Sequence, residues 1–154
     1  MLPLRSMQKL TGVHPDLLAV VKRASELASS QGFEFIVTEG LRSKARQEAL
    51  FHMGRSRVLN SRHLTGHAVD LCPLAPSGAP DWHPSAFPKV ETVVRASAAE
   101  LDVPVEWGGD FPKRFHTDFI DMPHWQLPRS VYADDDTVSL RPLVMEFLRS
   151  GRIL

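Results

Sequence analysis

The sequence predicts a small α+β domain, an antiparallel sheet flanked by helices. Three observations lead there. The chain has 154 residues, the length of one domain with one hydrophobic core. Segments of helical period alternate with short runs of period two. Several of the connections between those runs are too short for the crossovers a parallel sheet needs.

Residues 15–30 form the first periodic stretch, with Leu17, Leu18, Val21, Ala24, Leu27 and Ala28 on one face of a helix. Pro15 suits the first turn, and Gly32 a stop. Phe33, Phe35 and Val37 then alternate as in a strand, which Gly40 ends. Ser43 can cap a second helix running to about Met53. A polar loop, 54–62, leads to a short buried strand from His67 to Cys72. There Ala68, Asp70 and Cys72 face one side and His67, Val69 and Leu71 the other. Five prolines make residues 73–88 a loop. A third helix is expected over 89–101, with Val90, Val93, Val94 and Leu101 apolar. Two strands, 103–107 and 122–127, follow with a long loop between them. Ser139 can cap a last helix over 139–150, ended by Gly151.

Composition excludes several functions. Lys plus Arg equals Asp plus Glu at 18 each, so no basic footprint for nucleic acid or an anionic membrane exists. Apolar runs are too short for a membrane span, and the first residues show no secretory signal. Cys72 is the one cysteine, so neither a disulfide within the chain nor a cysteine-rich metal site can form. It reads as a small buried thiol. The run Asp134-Asp135-Asp136 reads as a solvated turn.

The informative segments are Ser61-Arg62-His63-Leu64-Thr65-Gly66-His67-Ala68-Val69-Asp70 and Asp118-Phe119-Ile120-Asp121-Met122-Pro123-His124-Trp125-Gln126-Leu127. Asp70 stands between Val69 and Leu71 in an apolar strand, where a carboxylate must be paired or bind a metal. If His63, Asp70 and His124 converge, two imidazoles and a carboxylate leave a fourth position open, the pattern of a catalytic zinc site. Asp121 is then the best placed base. The spacing alone equally allows His63 as a loop histidine and Asp70 as a hydrogen-bonded buried carboxylate. His67 should point away from Asp70. Trp82 and Trp107 read as core or cleft wall, Trp125 beside a ligand as either that or a substrate platform, and His14, His52 and His83 as element ends or loops.

SRHLTGHAVD resembles the Ser-x-His-x-x-Gly-x-Ala-x-Asp signature of the D-alanyl-D-alanine carboxypeptidase and VanY-like zinc peptidases. EWGGDF followed by DMPHWQL is similar to the second signature of their phage endolysin branch, the L-alanyl-D-glutamate endopeptidases. TEGLRSKARQEAL resembles the family's first motif, with Gln47 on the helix after the Arg42 turn. The resemblance spans about 33–127. It implies a hedgehog/D-Ala-D-Ala peptidase-like fold with one zinc in a cleft, held by His63, Asp70 and His124. It implies Asp121 as catalytic base and Arg42 as a catalytic and substrate-binding residue that anchors a carboxylate. Ser61 and His116 are the further substrate-binding candidates. Phe111 departs from the family, which usually has Trp there, and His67 stands where relatives often carry a small or acidic residue.

The activity implied is hydrolysis of peptidoglycan stem peptides at L-Ala–D-Glu, as in a phage endolysin. The alternatives are a D-Ala-D-Ala carboxypeptidase and a non-hydrolytic zinc-binding module of the same fold. Residues 1–154 are expected to form a single catalytic domain with no wall-binding domain. The chain is expected to be a monomer made in the cytoplasm and released to the periplasmic wall through a holin-type pore, with no nucleic-acid or stable membrane partner.

Overall fold

Helix α2, Pro15–Ser30, sets the core of this computed structural model, which describes residues 1–115 and 117–135. Its ends are defined by sequence. The His14 imidazole accepts a hydrogen bond from the Asp16 N–H, Pro15 opens the first turn, and Gln31 closes the last. Its buried face, Leu17, Val20, Val21, Ala24 and Ala28, packs on Val90, Val93, Val94 and Ala98 of α4, Phe87–Leu101. Both helices cover one face of the sheet through Phe35, Val37, Val69, Leu71 and Trp125. Helix α4 begins at Phe87 rather than Lys89, and Leu101 at its end is 40% exposed.

The sheet has four strands in the order β1-β2-β4-β3, and every pairing is antiparallel. Strand β1 is Phe35–Glu39, β2 Ala68–Pro73, β3 Glu106–Trp107 and β4 His124–Gln126. An irregularity between Val37 and Glu39 sets Glu39 opposite Asp70, and the β2–β4 register sets Asp70 opposite His124. The last two strands are shorter than the apolar pattern predicts. Pro104 and Pro123 have no N–H to give to a ladder, and both strands begin after them.

Two helices escape the periodicity reading. The N-terminal α1, Leu4–Lys9, is too short to show a period, and its Ser6 hydroxyl accepts the Val37 N–H on β1. Helix α5, Phe111–Phe115, lies in the expected long loop. Helix α3, Lys44–His52, is capped by Ser43, whose hydroxyl accepts the Arg46 N–H. Trp82, expected in core or cleft wall, is 55% exposed in the proline-rich loop. Cys72 is buried, and burial pushes its thiol up to about 11. Asp134 and Asp135 are exposed in a turn, as expected, and the buried Arg62 guanidinium donates to Asp134 at 2.9 Å. The expected helix over 139–150, Asp136 and His116 lie outside the described residues. Among those described, no helix is long and apolar enough to cross a membrane.

Candidate metal centre

His63 is aimed by a tight turn. Ser61 accepts the His63 N–H at 3.2 Å and starts the 3-10 turn Arg62–Thr65, which Gly66 ends in the left-handed region at φ 75°. The His63 Nδ1–H donates to the Gly40 carbonyl at 2.8 Å, because that carbonyl can only accept. This leaves Nε2 turned inward, 3.2 Å from Asp70 Oδ1. From the other side, strand pairing brings His124 Nδ1 to 3.4 Å from the same oxygen. The Nε2 of His124 faces the Gln126 side-chain oxygen at 2.8 Å.

One donor atom from each of His63, Asp70 and His124 thus lies within 4.8 Å of the others. Each imidazole turns one ring nitrogen inward toward Asp70 and the other outward to an oxygen of Gly40 or Gln126, an arrangement metal-ligating histidines adopt. The donor set fits a divalent metal with an open position. Without a metal, burial would raise the Asp70 carboxyl, but His124 and His63 outweigh it and hold the carboxyl well below the ordinary carboxylate range. Burial likewise works against a charged His124, and Asp70 outweighs it, so that imidazole is raised.

Asp121 stands beside this cluster, its Oδ2 4.0 Å from His124 Nδ1 and its side chain 33% exposed. Burial raises its carboxyl above the usual value, against the pull of His124. The EWGGD stretch shows its purpose here. Gly108 accepts the Asp121 N–H at 3.0 Å, and a Cβ on Gly108 would run into the Asp121 carbonyl. Trp107 donates to the Met122 carbonyl at 2.7 Å, which ties the same segment down. Phe111 lays its ring 5.6 Å from that of His124.

Arg42 and Ser61 are both held by neighbouring side chains or backbone. Arg42 reaches the site, with Nη2 3.8 Å from Asp70 Oδ2, but its fork is already taken. Nε and Nη2 donate to the two oxygens of Glu39 at 2.8 and 2.7 Å, and Nη1 donates to Gln47 at 2.6 Å. A substrate carboxylate can therefore meet its charge and its remaining hydrogens, not a free fork. Gln47 in turn donates to Ser56 at 2.9 Å, which holds the 54–60 loop to Arg42. The Ser61 hydroxyl is nearly buried and accepts the His63 N–H, so it braces the turn that aims this ligand. His67 faces away from Asp70, as alternation predicts, with its ring 5.3 Å from that of His14. A cavity of about 810 Å³ opens beside Arg42, walled by Leu41, Leu59 and Leu64 with Lys44 and Glu48 at its edge.

Sequence reasoning missed Glu39, Glu106 and Gln126 as neighbours of the ligands. Only Gln126 left a signal, since a residue two after His124 on a strand shares its face.

Comparison with known families matches residues 1–127 to the phage L-alanyl-D-glutamate peptidase family. The chain belongs to that family. Among curated phage L-alanyl-D-glutamate peptidases it is 30% identical over 131 residues to that of Listeria phage A118, covering 85% of this chain and 43% of the relative. It is 30% identical over 110 residues to that of Escherichia phage T5, covering 69% of this chain and 77% of the relative. The chain thus spans less than half the length of the Listeria phage member. Among solved structures, the Serratia marcescens L-Ala D-Glu endopeptidase ChiX superposes with a TM-score of 0.74 at 39% identity, over 85% of this chain and 92% of that one. The LD-carboxypeptidase LdcB matches at a TM-score of 0.51 and 18% identity over 97% of this chain and 77% of that one, a likeness of fold.

Proposed function

We propose that this member of the phage L-alanyl-D-glutamate peptidase family is a zinc endopeptidase that cuts the L-Ala–D-Glu bond of peptidoglycan stem peptides. The observation that carries the reading is the cluster of His63, Asp70 and His124, three donors and no fourth among the described residues, with the Asp121 carboxylate at its edge. A purely structural metal site is closed by a fourth ligand and needs no such neighbour. The family match and the 39% identity to ChiX support the choice of bond.

His63 Nε2, a carboxylate oxygen of Asp70 and His124 Nδ1 would hold the metal. Zinc bound there supplies a Lewis acid, which acidifies water and polarises a carbonyl. Asp121 Oδ2 takes a proton from the attacking water as its oxygen adds to the scissile carbonyl carbon. The same oxygen then delivers that proton to the leaving nitrogen as the C–N bond breaks, so that one water is consumed per bond. The carboxyl raised by burial suits Asp121 to both steps. Arg42, braced by Glu39 and Gln47, adds positive charge at the mouth, where the carboxylates of a stem peptide would settle. The place of action is the bacterial cell wall, with a holin-type pore as the partner that gives access to it.

Mass spectrometry of purified peptidoglycan after digestion tests this. Cleavage between L-Ala and D-Glu is expected to release peptides that begin with D-Glu. Release of D-Ala alone would make the protein a carboxypeptidase, and unchanged muropeptides with zinc bound would make it a binding module.

A further inference from the structure

Strand pairing lays a row of polar side chains across one face of the sheet. Asp70 faces His124, Gln126 follows on the same face of β4, and Glu106 on β3 is the register partner of Gln126. The bonds along the row run in one direction. His124 Nε2 lies 2.8 Å from Gln126 Oε1, Gln126 Nε2 donates to Glu106 Oε2 at 3.3 Å, and Arg114 Nη2 holds Glu106 Oε1 at 3.1 Å. Glu106 is nearly buried, whereas Arg114 on α5 is half-exposed.

We infer that Gln126, Glu106 and Arg114 are positioning residues that fix the tautomer of His124, so that Nδ1 rather than Nε2 faces the metal. The inference rests on the metal-site reading above. Its logic is donor against acceptor. A guanidinium only donates, so Arg114 occupies one oxygen of Glu106. A carboxylate only accepts, so the Gln126 amide must turn its NH2 to the other oxygen and its carbonyl to His124. The imidazole must then carry hydrogen on Nε2, which leaves the Nδ1 lone pair toward Asp70. The His63 ring is set the opposite way by the Gly40 carbonyl, with hydrogen on Nδ1 and its lone pair on Nε2. The neutral amide passes on direction without placing a third carboxylate against a ring that already faces Asp70 and Asp121.

The row makes an isosteric substitution informative. In Glu106→Gln, Arg114 keeps hold of the new amide oxygen, and the new NH2 faces Gln126. Gln126 must then rotate and offer its own NH2 to His124, which forces hydrogen onto Nδ1. Zinc affinity of the full chain, measured by chelator competition, is expected to fall by ~10–100-fold. The double variant Gln126→Glu with Glu106→Gln restores the direction of every bond and is expected to restore the affinity. Nitrogen-15 spectra of the zinc-loaded wild type are expected to show His124 ligated through Nδ1 with hydrogen on Nε2.

A merely structural role predicts a lower melting temperature with unchanged zinc affinity in Glu106→Gln, and that result would overturn the inference. Ligation of the wild type through Nε2 would also overturn it, whatever the variants do. A wild type that takes up no zinc would remove the metal-site reading and this inference together. Zinc binding that ignores the Glu106 exchange removes only the inference.

Discussion

Asp121 and His124 lie three residues apart and share one small volume, yet they are assigned different work. Nδ1 of His124 points at Asp70, while Asp121 keeps a third of its side chain open to water. Removing a general base costs ~10²–10⁴ in rate, so Asp121→Asn is expected to lose that much stem-peptide hydrolysis while retaining its zinc. Loss of zinc in this variant would make Asp121 a ligand instead. Arg42 carries a second prediction. Burial raises the Glu39 carboxyl, but the hydrogen bonds and charge of Arg42 outweigh it and hold the carboxyl below its usual value. A depressed carboxylate stabilises the fold above its unfolded pKa, about 4.3 for Glu, and that contribution fades as pH falls through the folded value. The metal-free Arg42→Gln variant is therefore expected to melt below wild type at pH 7, with the gap narrowing under acid. A gap that stays constant with pH would separate Glu39 from the effect. Arg42 itself was legible, because it stands in a strand-to-helix turn. Its occupied fork was not, because Glu39 and Gln47 reach it only once strand and helix are folded together.

The 3-10 turn between Ser61 and Gly66 sets the position of His63 more than any single side chain does. Gly66 adopts φ 75°, its carbonyl accepts the His14 N–H at 2.8 Å, and a Cβ there would meet the Gly12 carbonyl oxygen. The left-handed conformation alone costs an L-residue roughly 1–2 kcal/mol. Gly66→Ala is expected to lose more than that, seen as a lower urea midpoint, and to weaken zinc binding because the turn must shift. An unchanged midpoint would show that the turn has room to give. At this scale α2 was readable from its apolar spacing and α3 from its Ser43 cap, because both signals are local. The ends of β3 and β4 were not, because pairing decides how many residues of an apolar run become strand. Short α5 offered no period to detect.

Across the molecule, the site joins segments from every part of the sheet, and Arg62 ties its far side. The Arg62 guanidinium donates to the carbonyls of Leu127 and Tyr132 and to Asp134, and so anchors the chain after β4 to the turn before His63. A metal that binds this assembled site and not the unfolded chain stabilises by RT ln(1 + [L]/Kd), about 2.7 kcal/mol at a hundredfold excess over Kd. A chelator is therefore expected to lower the melting temperature and abolish hydrolysis together, and added zinc to restore both. Hydrolysis that survives complete metal removal would end the zinc mechanism.

The amino-acid order by itself determined the fold class and the main helices, which depend on local period and caps that can be read along one segment. The three donors came from the resemblance to the family's two signatures, because spacing alone left His63 and Asp70 open to a structural role. Only the tertiary structure decided that His63, Asp70 and His124 meet, that Ser61 braces the His63 turn, and that Arg42 is held by Glu39. It also placed Glu106 beside Gln126, 20 residues away in the chain. The reason is physical. A strand dictates which face a side chain takes, but register between strands dictates which side chain it meets, and register is settled only when the whole sheet buries its apolar face.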